Sequence, residues 1–106
     1  MAEIRVCSTA DVPAGEARRF DVDGARVCVV HIGDSWYAIG DECSHADYSL
    51  SEGTVWADEC EIECPKHGST FSLETGEPQT LPATAPVPVF TVRVEDDDVL
   101  LTKSST

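Results

Sequence analysis

The sequence predicts an all-β fold: a small antiparallel β-sandwich or barrel as a base, with a loop-rich subdomain inserted into it. Three observations carry this. Short β-type runs recur between Gly, Asp and Pro turn signals. No segment keeps a 3.6-residue apolar period, so no substantial helix is expected. Residues 41–88 change texture, being rich in Cys, His, Gly, Ser and Pro, before regular alternation returns.

Taken in order, Ile4–Cys7 is the first strand-like run. Arg19–Val22 leads into Asp23–Gly24, a pair suited to the positive φ angles of a tight hairpin, and Ala25–Ile32 follows as a long apolar strand. Gly33–Asp34 turns the chain into Trp36–Ile39. Within the insertion, strand-like pieces are confined to Thr54–Trp56, Glu61–Glu63 and Thr70–Leu73, and Thr75–Gly76 closes a further hairpin. Leu81–Pro88 holds Pro82, Pro86 and Pro88 and reads as a stiff extended connection. Val89–Val94, an acidic turn at Glu95–Asp98, and Val99–Thr102 complete the base. The expected organisation is one domain over 1–106, with base strands at about 1–40 and 89–106 and the inserted subdomain at about 41–88.

Composition narrows the function. With 106 residues there is no room for a separate catalytic domain. Twenty acids stand against seven bases, a formal charge of −13, which argues against nucleic acid and against an anionic membrane surface. A basic face on a protein partner is the natural complement, although acidity also serves solubility. No apolar run has the length of a transmembrane helix, and residues 1–11 lack a signal pattern, so a cytoplasmic location is expected. In that compartment thiols stay reduced, so the five cysteines read as ligands or core residues before disulfides.

The insertion contains Cys43-Ser44-His45 and, 18 residues after His45, Cys64-Pro65-Lys66-His67. Each segment offers one thiolate and one imidazole at close spacing. A mixed-ligand [2Fe–2S] cluster needs two sulfurs on one iron and two nitrogens on the other, and two facing loops of this kind supply them. Zinc is the main rival, since it also accepts two Cys and two His. Against zinc, the ligand types alternate along the chain, and one residue between Cys43 and His45 is a tight spacing for chelating a single ion.

The pattern C-x-H…C-P-x-H-G-S, followed by the Thr75–Gly76 hairpin and Leu81-Pro82-Ala83, resembles the Rieske ferredoxin family. The resemblance implies one [2Fe–2S] cluster held by Cys43, His45, Cys64 and His67, at one tip of a small antiparallel β-domain, with the histidine edges toward solvent. It implies a one-electron carrier rather than an enzyme, working between a separate ferredoxin reductase and a terminal oxygenase or dioxygenase and docking through an acidic face. No G-x-G-x-x-G is present for a nucleotide cofactor. Two other functions fit the same pattern: a non-catalytic small subunit of a reductase such as nitrite reductase, and a redox-sensing or cluster-handling protein of iron–sulfur assembly.

The resemblance also bears on potential. High-potential members tie the two loops with a disulfide, whose positions here hold Tyr48 and Lys66. They also place a Ser and a Tyr as donors near the sulfurs; this chain keeps Ser69 but has Phe71 at the tyrosine position. Residues 41–65 carry eight acids and no Lys or Arg, a field that disfavours adding an electron. A potential of about −150 to 0 mV is expected.

The remaining residues of note read structurally. Cys7 and Cys28 are expected as buried small hydrophobes, and Cys60 as a non-ligand. His31 is expected as a satisfied structural histidine. Trp36, Tyr37 and Phe90 are assigned to the β-core, and Trp56 to the core ahead of a docking face. Tyr48 is placed to shield the cluster, and the resemblance implies that Pro82, Pro86 and Pro88 form a third loop over it.

Overall fold

A computed structural model describes residues 3–22, 24–41, 49–65, 68–79 and 86–102. Nine strands follow in order: β1 (Glu3–Ser8), β2 (Glu16–Val22), β3 (Ala25–Ile32), β4 (Ser35–Gly40), β5 (Thr54–Trp56), β6 (Glu61–Glu63), β7 (Thr70–Ser72), β8 (Val89–Glu95) and β9 (Asp98–Thr102). Two single 3-10 turns, Thr9–Asp11 and Leu50–Glu52, are the helical elements among the described residues. The all-β expectation therefore holds.

The base is a six-stranded sheet in the order β1-β9-β8-β4-β3-β2. Every described pairing is antiparallel. The sheet curls, so that its two edge strands, β1 and β2, come into contact with each other. The smaller sheet, in the order β5-β6-β7, is built from the insertion. The β2–β3 hairpin pairs Val22 with Ala25 and has Gly24 at φ 83°, as the Asp-Gly signal predicts.

β3 explains how the two sheets are joined. Side chains alternate across a strand, so a strand buried on one face shows alternating apolar residues. Val27-Cys28-Val29-Val30 is instead continuously apolar, and all four residues are fully buried. Val27 and Val29 enter the core inside the curled base sheet, with Cys7, Val12, Val22, Ala38, Val99 and Leu101. Cys28 and Val30 face the other way, into a second core with Ile39, Leu50, Ile62, Phe71, Leu73 and Val87. The inserted sheet thus lies against the outer face of the base, and the second core is the seam between them.

Candidate metal centre

The inserted sheet positions the candidate site. Val55, Ile62 and Phe71 stand in register across its three strands. Val55 is half-buried against the seam core, and Ile62 and Phe71 are fully buried in it. At the end of β6 the chain enters a tight turn. The Cys64 N–H donates to the Ser69 carbonyl at 2.7 Å, and the Gly68 N–H donates to the Cys64 carbonyl at 3.1 Å. Gly68 has φ 76°, a conformation that favours glycine. The turn Cys64–Ser69 is thereby closed on itself, with Pro65 fixing its entry.

Cys64 is 0 % exposed, carries a free thiol, and belongs to the seam core with Leu50, Ile62 and Phe71. Leu50 lies five residues after His45 in the sequence. Packing of Leu50 and Cys64 into one cluster therefore brings the roots of both ligand segments together. A third root joins them. Val87 lies in the same core, and its N–H donates to the Gly76 carbonyl at 2.9 Å. The Gln79 N–H donates to the Thr70 carbonyl at 2.6 Å. The connection that carries Leu81–Pro88 thus leaves and returns beside the Cys64 turn.

Cys43, His45 and His67 lie outside the described residues, as do Tyr48, Lys66 and Pro82. Of the four sequence-predicted ligands, Cys64 is the one that the structure places. The donor set fits a mixed-ligand cluster: a buried, free Cys64 stands at the meeting point of loop roots, one leading to a Cys/His pair and the other to a His.

A family profile described as "Rieske [2Fe-2S] domain" matches residues 2–91. The chain belongs to the Rieske [2Fe–2S] family. Among its relatives is the 3-phenylpropionate/cinnamic acid dioxygenase ferredoxin subunit of Escherichia coli, 42 % identical over 101 residues that cover 95 % of this chain and 93 % of that one. The solved ferredoxin of carbazole 1,9a-dioxygenase from Nocardioides aromaticivorans superposes with a TM-score of 0.93 at 39 % identity, covering 98 % of this chain and 100 % of the other. A ferredoxin chain in a complex of reduced oxygenase and oxidized ferredoxin of carbazole 1,9a-dioxygenase gives 0.84 at 41 % identity, over 93 % and 91 % of the two chains. This Rieske protein is a ferredoxin-type electron carrier, not a catalyst in its own right. Its cofactor class is the Rieske [2Fe–2S] cluster.

Two of the cysteines outside the ligand set fall as expected. Cys7 and Cys28 are buried. Desolvation, with some help from Asp11, pushes the Cys7 thiol up to about 11, and desolvation raises Cys28 as well. In each case the native state keeps a proton that the unfolded chain sheds near pH 9. The stabilisation is full below that pH and is lost as pH rises through about 11 for Cys7. Alkylation of the folded Rieske protein at pH 8 is expected to leave both thiols unlabelled by mass spectrometry; rapid labelling of either would contradict their burial. Cys60 sits in the β5–β6 turn with φ 56° and packs with Tyr37 against the seam core; the Tyr37 phenol is held above its ordinary pKa chiefly by the neighbouring Cys60.

His31 is structural. Its Nδ1 donates to the Val12 carbonyl at 2.9 Å, and its ring stacks on Trp36 with centroids 3.9 Å apart. Trp36, Tyr37 and Phe90 are half-buried, lying at the borders of the two cores rather than inside them.

Trp56 overturns the core assignment, being 45 % exposed. The register explains why. Val55 takes the inward position opposite Ile62, so its neighbours Thr54 and Trp56 face out. The Trp56 indole N–H donates to Glu63 Oε1 at 3.0 Å across that outer face. The signal was present in Thr54-Val55-Trp56, where one apolar inward residue leaves the tryptophan on the wrong parity for the core. Among the described residues no helix is long and apolar enough to cross a membrane.

Proposed function

We propose that this Rieske protein is the ferredoxin of a dioxygenase system, a cytoplasmic carrier that takes single electrons from a separate reductase and gives them to a terminal oxygenase. The observation that carries the reading is the convergence of the loop roots on the buried Cys64, in a chain whose relatives are named as dioxygenase ferredoxins. Cys43 and Cys64 would hold one iron, and His45 and His67 the other, within a single domain spanning 1–106. When bound, the cluster supplies reversible storage of one electron. The chain's own residues determine where the cluster sits and which surface a partner meets. Cys64, in the seam core, fixes one side of the centre in an apolar setting, while the Cys64–Ser69 turn orients the segment carrying His67.

The docking surface proposed here is the outer face of β5 and β6. Trp56 stands exposed on it, flanked by Glu61 and Glu63 on the strand alongside. Asp58 and Glu59 follow in the exposed turn. Four of the five arginines are paired within the base sheet: Arg5 with Asp98, Arg18 with Glu16, Arg19 with Asp21, and Arg93 with Glu3 and Glu95. An acidic surface around an exposed indole suits a basic partner that offers an Arg to stack on the ring. Substituting Trp56→Ala is expected to weaken partner binding by about tenfold while leaving the reduction potential unchanged. Titration calorimetry and voltammetry on the same sample check this, and unchanged affinity would remove Trp56 from the surface.

The test of the function itself is stopped-flow transfer. The reduced protein should be reoxidised by a terminal Rieske dioxygenase in single-electron steps, more slowly as ionic strength rises. Reduced protein that transfers no electron to any such oxygenase while transferring readily to a nitrite reductase would overturn the reading.

A further inference from the structure

Asp41 is 1 % exposed, a buried acid at the last described position before the first ligand segment. A buried carboxylate is costly unless its lone pairs are met by donors. Among the described residues they are met from the far end of that segment. Oδ1 accepts the Ser51 N–H at 3.0 Å, and Oδ2 accepts the Ser49 hydroxyl. The Ser49 and Ser51 hydroxyls are 2.7 Å apart, so Ser51 can donate to Ser49 while Ser49 donates to the carboxylate. The backbone repeats the closure. The Leu50 N–H donates to the Asp41 carbonyl at 2.6 Å, and the Asp41 N–H donates to the Arg26 carbonyl on β3 at 3.1 Å. One residue thus joins the end of β4, the body of β3 and the Ser49–Ser51 turn. Asp41 and Ser49, the described residues that flank positions 42–48 with Cys43 and His45, are thereby held together.

We propose that Asp41 is the positioning residue of the first ligand segment: its carboxylate closes the neck of the 42–48 loop and so sets where Cys43 and His45 stand relative to Cys64. The proposal rests on the assignment of Cys43 and His45 as cluster ligands. Three donor–acceptor contacts between Asp41 and residues 49–51 leave the two ends of the loop little freedom to separate, and the fourth anchors Asp41 to β3. Leu50, held by the same contacts, is the residue that packs in the seam core beside Cys64. The neck is therefore tied to the second ligand segment as well as to the base.

The experiment compares Asp41→Ala, Asp41→Asn and Ser49→Ala with the parent protein in three readouts. These are the rate of cluster loss to an iron chelator, the EPR line shape of the reduced state, and amide hydrogen exchange at Leu50 and Ser51 in the apo-protein. Asp41→Ala is expected to speed cluster loss at least tenfold, broaden the EPR signal and expose both amides to exchange. Asp41→Asn retains one acceptor and should recover part of each effect. Ser49→Ala removes one donor and should move all three readouts in the same direction by less, which keeps the test open if Asp41→Ala fails to fold. A purely structural role would lower thermal stability while leaving chelation rate and line shape of the folded variants at parent values, and that result would overturn the proposal. Parent protein that binds no [2Fe–2S] cluster would instead overturn the ligand assignment on which it rests.

Discussion

Replacing His67 or His45 by alanine is expected to abolish the mixed-ligand cluster, whereas His31→Ala should leave it intact. The chain has three histidines. His31 is committed to the base, with Nδ1 spent on the Val12 carbonyl and its ring face spent on Trp36. Its loss should cost about 1–2 kcal/mol of stability through the missing hydrogen bond and ring contact. The other two are the histidines of the Cys43-Ser44-His45 and Cys64-Pro65-Lys66-His67 motifs, proposed as the ligands of the second iron. On that assignment, removing one would leave an iron short of a ligand, and among the described residues the other cysteines are placed elsewhere: Cys60 packs near Tyr37, and Cys7 and Cys28 are sealed in the cores. Iron and sulfide content with visible absorption checks this. A cluster of unchanged spectrum in either variant would reassign the ligand set, and loss of it in His31→Ala would do the same.

Gly53→Ala is expected to be strongly disruptive. Gly53 follows the Leu50–Glu52 turn and passes hard against the end of β6. A Cβ there would stand 1.7 Å from the Glu63 carbonyl oxygen and 2.9 Å from its carbon. Both are backbone atoms of the residue before Cys64, so relief requires the inserted sheet to move off the neck of the first loop. The expected cost exceeds about 3 kcal/mol, at or above the upper end of ordinary overpacking. Against a typical domain stability of about 5–15 kcal/mol, this leaves a marginal fold. The loss should show as a lower denaturation midpoint together with faster cluster release. An alanine variant with parental stability would mean that β5 and β6 are not packed as described.

Phe71→Tyr tests the second determinant of potential. Phe71 is fully buried beside Cys64. A phenol hydroxyl that reached a cluster sulfur would favour the reduced form, by about 0.5–1.5 kcal/mol for a hydrogen bond. That corresponds to roughly 20–65 mV upward for a one-electron couple. Voltammetry of the two proteins gives the shift directly, and a lowered potential would contradict the donor argument.

Much of the fold was legible because the strands carry their own punctuation. The Asp23–Gly24 and Gly33–Asp34 signals bracket β3 between hairpins, and its unbroken apolar run announced burial on both faces. Other features lie beyond local pattern. β2 begins at Glu16, earlier than Arg19, because its first residues alternate a half-buried acid, a buried alanine and an exposed arginine, which gives no apolar contrast. The first 3-10 turn is capped by Ser8 and Asp11 in a capping box, a spacing that can be recognised from sequence but is common by chance. Asp41 is one acid among eight in residues 41–65, and its burial depends on Ser49 and Ser51 returning to it across the loop. Cys64 could be named as a ligand from its neighbours Pro65, His67 and Gly68. That Leu50 packs beside it, joining the loop roots, emerges only when the two sheets meet.

Pulsed EPR of the dithionite-reduced protein, with iron and acid-labile sulfide measured on the same sample, decides whether histidines ligate the [2Fe–2S] centre of this carrier. Two irons and two sulfides per chain are expected, with an average g value below that of the free electron and nitrogen couplings from two imidazoles that vanish on losing His45 or His67. A colourless protein with stoichiometric zinc, or a cluster without nitrogen coupling, would contradict that ligation.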